Sequence, residues 1–330
     1  MLKPIFSVLI LILTAISINA QQIEILTKGQ PTSIRGLSVV NDNLVWVAGS
    51  KGTVGKSEDG GKTWEWIQVP GFEKREFRDI EAFDNKTAVI MAITEPGEIL
   101  KTTNGGKSWN VVFRDTTKGV FIDAFHFNKK GTGYTIGDPI DGTAYVLKTT
   151  DNGNSWTREK NTPSLDTGEA CFASSGTNIF TKADGSYLFV TGGRNARFHS
   201  GGAATPLPLL KGGESTGANS VAVLENGKKM TMVVVGGDFA KDTVATGNCV
   251  LISNGVSTLP VQGPHGYRSC VEFLNATSLI ACGTSGVDVS VDGGKNWKLV
   301  SQEGFHVCQK AKNGKVVYLA GGNGKIARLN

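Results

Sequence analysis

The stretch "SEDGGKTW", residues 57–64, decides the fold because the chain repeats it. The pattern returns as "TTNGGKSW", "TTDNGNSW" and "SVDGGKNW", at residues 102–109, 149–156 and 290–297. The closing tryptophans are separated by 45, 47 and 141 residues, and the last interval is three periods of 47. A period in the forties with short strands is typical of a β-propeller, in which each repeat forms one four-stranded blade.

A second signal fills the gaps between these turns. Each repeat contains an apolar strand that ends in glycine and leads into another strand, as in "LVWVAGSKGTVGKS" at residues 44–57. This signal occurs seven times, although the fifth repeat keeps only an eroded turn, "SNGVSTLP", and the fourth only "GGAATPLPL". Continuous apolar strands indicate burial on both faces, as between packed blades.

The two ends of the chain complement each other. The last repeat stops at Asn330 after three strands, and residues 23–28, "IEILTK", form an unpaired strand near the start. Pairing them would remove an exposed sheet edge. We therefore predict an all-β, seven-bladed β-propeller whose last blade is closed by the N-terminal strand, with six blades as the alternative.

The repeated turn is interpreted as scaffold. Its Asp or Asn can accept hydrogen bonds from backbone N–H groups of its own turn, and its Trp packs against the sheet. Asp and Asn exchange at this position, which fits a hydrogen-bond acceptor better than a catalytic carboxylate. The repetition also favours a structural role, because a propeller needs one such turn in each blade. The residues with this predicted role are Asp59, Asn104, Asp151 and Asp292, followed by Trp64, Trp109, Trp156 and Trp297.

Residues 1–20, "MLKPIFSVLILILTAISINA", combine a basic start, an apolar run and a small residue at the end. This is the pattern of a secretory signal peptide, and we expect cleavage after Ala20. Residues 21–330 would then be one propeller domain in the periplasm or outside the cell. An uncleaved N-terminal anchor is the alternative.

Charge and cysteine content narrow the function further. A net charge of +5 with dispersed lysines gives little support for nucleic-acid binding. Cys270 and Cys282 fall on neighbouring predicted strands, so they can form a disulfide in an oxidising compartment. The favoured alternative is that all five cysteines are small buried apolar residues. Because no CxxC or His/Cys cluster has metal spacing, we predict no metal and no cofactor.

The S/T-x-D-x-G-x-x-W turn is identified as the Asp-box, or BNR repeat, of sialidases and sortilin-like receptors. Residues 22–330 as a whole resemble most the photosystem II stability/assembly factor family of seven-bladed propellers. The resemblance lies in the order of the blade pattern, which is an inner strand, then "G-x-x-G-x-I/V", then the box. That resemblance implies a chaperone-like platform that binds membrane-protein partners. Secreted relatives often carry the label "oxidoreductase", but no dinucleotide fingerprint or CxxCH motif supports redox chemistry here.

Polar residues recur where each innermost strand starts. In a propeller these strands line the central channel, so their starts converge on one mouth. A ring of arginines there would favour binding of an anion, and arginine is suited to bidentate capture of a carboxylate. The alternative is that these charges pair with one another as structural salt bridges. The candidate residues are Arg35, Arg78, Asp79, Asp123, Glu169, Asn219, Arg268 and His306.

Three arginines at a channel mouth also resemble the carboxylate grip of sialidases. However, Gly36 and Leu37 follow Arg35, so the R-I-P signature is absent. Alternation along the strand would turn Tyr267 and Arg268 to opposite sides. We therefore predict a monomeric, non-enzymatic scaffold that binds a protein or an anionic glycan. A glycan-directed hydrolase that draws its carboxyl groups from Asp79, Asp123 and Glu169 is the second reading, and a redox function is the third.

Overall fold

The computed structural model describes residues 22–227 and 229–330. The predicted signal peptide, residues 1–20, lies outside the described residues. Every regular element in the described part is a β-strand. Consequently, no described segment forms a helix of the length and hydropathy needed to cross a bilayer.

The first half of the chain forms three sheets after an initial strand, β1 (Ile23–Thr27). Blade 1 contains β2 (Ile34–Val39), β3 (Val45–Gly49), β4 (Thr53–Ser57) and β5 (Glu65–Gln68). Blade 2 contains β6 (Phe77–Ala82), β7 (Ala88–Ala92), β8 (Gly97–Thr102) and β9 (Asn110–Asp115). Blade 3 contains β10 (Ile122–Phe127), β11 (Gly133–Ile140), β12 (Thr143–Tyr145), β13 (Leu147–Thr149) and β14 (Thr157–Arg158).

Blades 4 and 5 share one sheet through a single pair, Gly192 with Gly217. Blade 4 contains β15 (Glu169–Ala170), β16 (Ile179–Thr181), β17 (Tyr187–Gly193), β18 (Arg197–Ser200) and β19 (Ala203–Pro206). Its innermost strand is broken in two, because β15 and β16 both pair with β17. Blade 5 contains β20 (Thr216–Asn226), β21 (Lys229–Asp238), β22 (Cys249–Ser253) and β23 (Val256–Thr258).

The last two sheets complete the ring. Blade 6 contains β24 (Cys270–Phe273), β25 (Leu279–Gly283), β26 (Gly286–Ser290) and β27 (Lys298–Ser301). Blade 7 contains β28 (Val307–Lys310), β29 (Val317–Ala320) and β30 (Ile326–Leu329), and β1 is its fourth strand. Strand β1 runs antiparallel to β30, with Ile23 opposite Leu329 and Glu24 opposite Arg328.

The sheets are arranged radially. The innermost strands contact one another in the cycle β2, β6, β10, β16, β20, β24, β28 and back to β2. The apolar core lies between adjacent sheets; for example, Trp46 of β3 packs with Phe77 and Ile90 of blade 2. The predicted class, an all-β propeller whose last blade is closed by the N-terminal strand, is confirmed.

Each box forms a turn between the third and fourth strands of its blade. Ser57 Oγ accepts a hydrogen bond from the N–H of Gly61 at 2.9 Å, and Asp59 Oδ1 accepts one from the N–H of Thr63 at 2.9 Å. The hydrogen bonds from Thr63 lower the pKa of Asp59 to about 2. In the other boxes the side-chain oxygen accepts the equivalent backbone hydrogen bond. The pairs are Asn104 with the N–H of Ser108, Asp151 with that of Ser155 and Asp292 with that of Asn296.

The box also docks onto the preceding blade. A Cβ added to Gly61 would lie 2.6 Å from Leu26 Cδ1 of blade 7, and one added to Gly106 would lie 2.7 Å from Ile67 Cδ1 of blade 1. A Cβ added to the equivalent glycine of blade 3 would lie 2.9 Å from Val89, and one added to that of blade 6 would lie 2.8 Å from Leu251. The tryptophans pack in the same layer: Trp156 and Trp297 are buried, and Trp64 and Trp109 are half-buried.

Candidate functional site: the channel cavity

A cavity of about 540 Å³ lies in the central channel. We call it the channel cavity. It brings together five of the eight residues predicted at the channel mouth, from blades 1, 2, 3, 5 and 7. These are Arg35, Arg78, Asp123, Asn219 and His306.

The break in the innermost strand of blade 4 narrows this channel. Residues 171–178, which we call the channel segment, leave the sheet between β15 and β16 and reach several other blades. Arg35 Nη1 donates to the carbonyl of Ser174 at 3.0 Å, and Arg78 Nη1 donates to the carbonyl of Ala173 at 3.1 Å. On the opposite side, Ser175 Oγ donates to the carbonyl of Ser269 in blade 6 at 2.6 Å. No pattern in the sequence indicated this segment.

The two arginines make the cavity cationic. Burial, followed by the positive charge of Arg78, lowers the pKa of Arg35 to about 10. With that pKa the guanidinium is still charged near neutral pH. It has five N–H donors. Only one of them forms a side-chain hydrogen bond among the described residues, so the others are free to bind a ligand. The arrangement favours an anion that can accept from both side chains.

The acids of the cavity ionise less readily than exposed carboxyl groups, which weakens their neutralisation of this charge. Asp123 is fully buried, and burial, followed by the nearby Asp138 carboxylate, raises its pKa well above the ordinary value. Neither Asp123 oxygen has a hydrogen-bond partner within residues 22–227 and 229–330. Burial also raises the pKa of Asp138, whose Oδ1 accepts from the N–H of Cys171 at 3.0 Å. Both groups are therefore shifted towards their neutral forms.

His306 is neutral at physiological pH. Burial, followed by the charge of Arg35, lowers its pKa to about 4. Its Nδ1 lies 3.0 Å from the carbonyl oxygen of Ile34, which places the proton of the neutral ring on Nδ1. Asn219 Oδ1 accepts a hydrogen bond from the hydroxyl of Tyr267 at 2.9 Å.

Several wall residues were missed in the sequence. Tyr267 faces the cavity, and Phe121, Phe172 and Phe239 add aromatic surface beside the arginines. The side chain of Phe239 is 50% exposed. Asp138 was missed as well, although it directly follows Gly137 in the second strand of its blade.

Arg268 is a correction to the predicted ring. Its side chain is fully buried and turned away from the cavity, where Nε donates to Asp288 Oδ2 at 2.7 Å. Its Nη1 donates to the carbonyl of Tyr267 and to Ser285 Oγ, at 2.8 and 2.9 Å. Tyr267 and Arg268 both precede β24, and their side chains leave the chain in different directions, so that Tyr267 lines the channel and Arg268 does not.

Asp79 and Glu169 also lie outside the cavity. The pairing register of β6 shifts at Phe77/Asp79, and the Asp79 oxygens accept from the N–H of Ile80 in blade 2 at 2.8 Å and from that of Phe125 in blade 3 at 2.9 Å. Glu169 accepts from Arg197 Nε at 3.0 Å and lies 3.0 Å from His199 Nε2. The three carboxyl groups proposed for hydrolysis are therefore not gathered in one place. Among the described residues Arg78 pairs instead with Glu76, Nε to Oε2 at 3.5 Å, and neither Arg78 with Asp123 nor Arg35 with Asp79 forms an ion pair.

Three cysteines form a cluster that sequence spacing did not indicate. The sulfur atoms of Cys270, Cys282 and Cys308 lie within 4.8 Å of one another in the core of blades 6 and 7. All five cysteines are free and buried, as the favoured alternative predicted. Cys270 of β24 lies directly opposite Cys282 of the neighbouring strand β25, and Cys308 comes from the next blade. Three thiols are a soft donor set of the kind that suits Cu(I) or Zn²⁺.

Known proteins share this architecture. Residues 17–326 match the family described as photosynthesis system II assembly factor YCF48. The solved structure of YCF48 bound to D1 peptide is similar, with a TM-score of 0.63 and 18% identity over 95% of this chain and 98% of that chain. YCF48 from Cyanidioschyzon merolae has a TM-score of 0.64 and 15% identity over 94% and 99% of the two chains.

A more distant propeller is also similar. The WD40 β-propeller domain of Doa1 has a TM-score of 0.62 and 12% identity over 94% of this chain and 97% of that chain. At these identities the likeness to solved structures shows the fold. Among curated proteins, none matches this chain.

Proposed function

The chain belongs to the photosynthesis system II assembly factor YCF48 family, and from this premise we propose that it is a binding scaffold rather than an enzyme. Its ligand is an anionic group of a partner polypeptide, held in the channel cavity. A relative in this family was solved with a peptide bound, which supports a polypeptide as the partner.

One observation carries the proposal. Arg35 and Arg78 line the same cavity, and each donates to a backbone carbonyl of the channel segment. Arg78 also forms an ion pair with Glu76, Nε to Oε2 at 3.5 Å, whereas Arg35 has no ion-pair partner among the described residues. Burial shifts the acids that line the cavity towards neutrality. A carboxylate, from a chain terminus or an acidic side chain, supplies the missing negative charge. Phe172 and Phe239 beside it offer contact surface for an adjoining apolar side chain.

The place of action is part of the proposal. The signal-peptide pattern of residues 1–20 supports export to the periplasm or the outside of the cell, where the scaffold acts as a monomer. Export predicts that the purified protein begins at Gln21, which the mass of the intact chain measures.

Peptide binding tests the proposal. An array of pentapeptides with a free C-terminal carboxylate, each paired with its amidated form, would be measured against the wild type. We expect carboxylate peptides to be selected and Arg35→Ala or Arg78→Ala to weaken their binding about tenfold or more, because each removes a charge-assisted hydrogen bond.

Arg114→Ala is the matched control, because this arginine lies on the outer strand of blade 2 with a side chain that is 61% exposed. It should bind like the wild type. Equal binding of amidated peptides, or unchanged affinity in both channel variants, would overturn the proposal.

A glycan-directed hydrolase is the second candidate, because Asp123 and Asp138 both line the cavity. Glycoside hydrolysis requires one protonated and one ionised carboxyl group. Burial raises the pKa of both Asp123 and Asp138, which favours a protonated general acid over an ionised nucleophile at each position. Turnover of a sialoside or uronide that is lost in Asp123→Asn would establish this candidate in place of the scaffold.

A further inference from the structure

Three cysteines lie together where blades 6 and 7 meet, and we call them the cysteine cluster. Cys270 and Cys282 are direct partners across the strands β24 and β25. Cys308 comes from β28, the innermost strand of the next blade. The three sulfur atoms all lie within 4.8 Å of one another. Only the packing of the two blades brings these thiols together.

The spacing of the sulfur atoms fits a single metal ion. A thiolate sulfur lies about 2.3 Å from a zinc ion. For an ion of similar size, three sulfurs spread evenly around it are roughly 4.0 Å from one another. That separation falls within the 4.8 Å limit that all three pairs of sulfur atoms satisfy. The cysteine cluster can therefore hold one ion at its centre.

The donors select a soft ion that accepts few ligands. In the part of the chain that the structure describes, no His, Asp or Glu joins the three thiols as a fourth ligand. Structural Zn²⁺ is almost always held by four ligands in a tetrahedron. Leu37, Ile280 and Phe305 belong to the same buried core, so a water molecule is a poor substitute for the missing ligand. Thiolates suit both Cu(I) and Zn²⁺, and a set of three without a fourth donor favours Cu(I).

The cysteine cluster borders the channel. The hydroxyl of Thr177, in the channel segment, donates to Cys270 Sγ at 3.7 Å. Ser269, which precedes Cys270 in the chain, lines the channel cavity, and its carbonyl accepts from Ser175 of the same segment. The three cysteines are at most 1% exposed. An ion can therefore reach the sulfurs where the channel segment is displaced, or can be bound before the blades close during folding.

We propose that the cysteine cluster is a Cu(I) site, with one ion per chain held by Cys270, Cys282 and Cys308. Two of the thiols lose their protons to solvent as the ion binds, and the third binds as a neutral thiol. The bound unit then carries one negative charge, which costs less in an apolar core than the two charges of a three-thiolate unit. The site is separate from the channel cavity, so the proposal does not depend on the carboxylate ligand proposed there.

Anaerobic loading with Cu(I) tests the site. The intact protein would be unfolded in urea, refolded with the Cu(I)–acetonitrile complex and then dialysed against bathocuproine disulfonate, which removes loosely bound copper. A second sample would receive the same complex in the folded state. We expect one copper per chain after refolding, measured by atomic emission, and slower uptake by the folded protein. Zn²⁺ offered in the same way should be lost to a chelator.

Two double variants separate the cysteine cluster from the other thiols. Cys270→Ala/Cys282→Ala leaves one sulfur and should lower the affinity for Cu(I) about a hundredfold or more, because a single thiol cannot replace a chelating set. Cys171→Ala/Cys249→Ala is the matched control, because it also removes two buried thiols but keeps the cluster. It should load like the wild type. Arg35→Ala should load as well while its peptide binding weakens, which separates the two proposals.

X-ray absorption spectroscopy of the loaded wild type keeps the test independent of how well any variant folds. Three sulfur neighbours around copper would support the site, whereas nitrogen or oxygen neighbours would place the copper elsewhere and overturn it. The proposal is also wrong if the refolded wild type retains no copper, if the cluster variant retains as much as the control, or if Zn²⁺ is retained and copper is not.

Discussion

At the scale of single residues, the box is defined by acceptor atoms. Serine occupies its first position in blades 1 and 6, and threonine in blades 2 and 3, yet the hydroxyl oxygen accepts from the same glycine N–H in each. Asn104 takes the place of an aspartate with the same contact. The bond at the first position is buried, so its loss leaves a donor without water.

Ser57→Ala tests this reading. The change leaves the N–H of Gly61 without an acceptor, and we expect a loss of about 1–2 kcal/mol in the free energy of unfolding. Ser57→Thr is the matched control and should be nearly neutral, because threonine occupies the equivalent position in two other boxes. Urea denaturation measures both. A threonine variant as unstable as the alanine variant would contradict the acceptor role.

At the scale of elements, the critical strand is β1. It covers the edge of β30, and its partly buried Ile23 and Leu26 pack against the core that joins blades 6, 7 and 1. An uncovered edge exposes a row of unpaired N–H and C=O groups and invites association between chains. Strand β1 therefore contributes to stability and suppresses aggregation.

Removal of residues 22–28 should lower the melting temperature by about 5 °C or more and promote aggregation. The comparison is with a protein that begins at Gln21. A synthetic peptide of residues 22–28, added in trans, should restore part of the lost stability by pairing with β30. Scanning calorimetry and light scattering measure these effects, and an unaltered melting temperature would show that blade 7 is stable with three strands.

At the scale of the whole molecule, ring closure gathers residues that are far apart in sequence. Arg35 and His306 line the same cavity, and three cysteines from blades 6 and 7 lie together in the apolar core between those blades. Closure also seals the thiols from solvent, because each of the five is buried. A thiol that reagents cannot reach is unreactive.

The folded protein should therefore resist iodoacetamide at pH 8, whereas the chain in urea should take up five carbamidomethyl groups. Intact-mass spectrometry before and after unfolding gives the count. Rapid modification of the native protein would show an exposed thiol. A mass lower by two hydrogens would show a disulfide, for which the Cys270–Cys282 pair is the first to examine.

The sequence alone was sufficient for the architecture. The spacing of the box tryptophans, the recurring strand–glycine–strand signal and the orphan strand at residues 23–28 predicted an all-β propeller closed through its ends. Such features are local and periodic, because each blade repeats the same hydrogen bonds and the same packing. Because the signal is repeated, an ambiguous pattern in one segment can be interpreted from the clearer copies elsewhere in the chain.

Only the tertiary structure decided which side chains meet. The ring positions of Arg35, Arg78, Asp123, Asn219 and His306 were predicted, but Tyr267 lines the channel in place of Arg268, whose guanidinium turns to Asp288. The channel segment and the cysteine cluster depend on contacts between blades. No periodic signal within one repeat encodes such contacts.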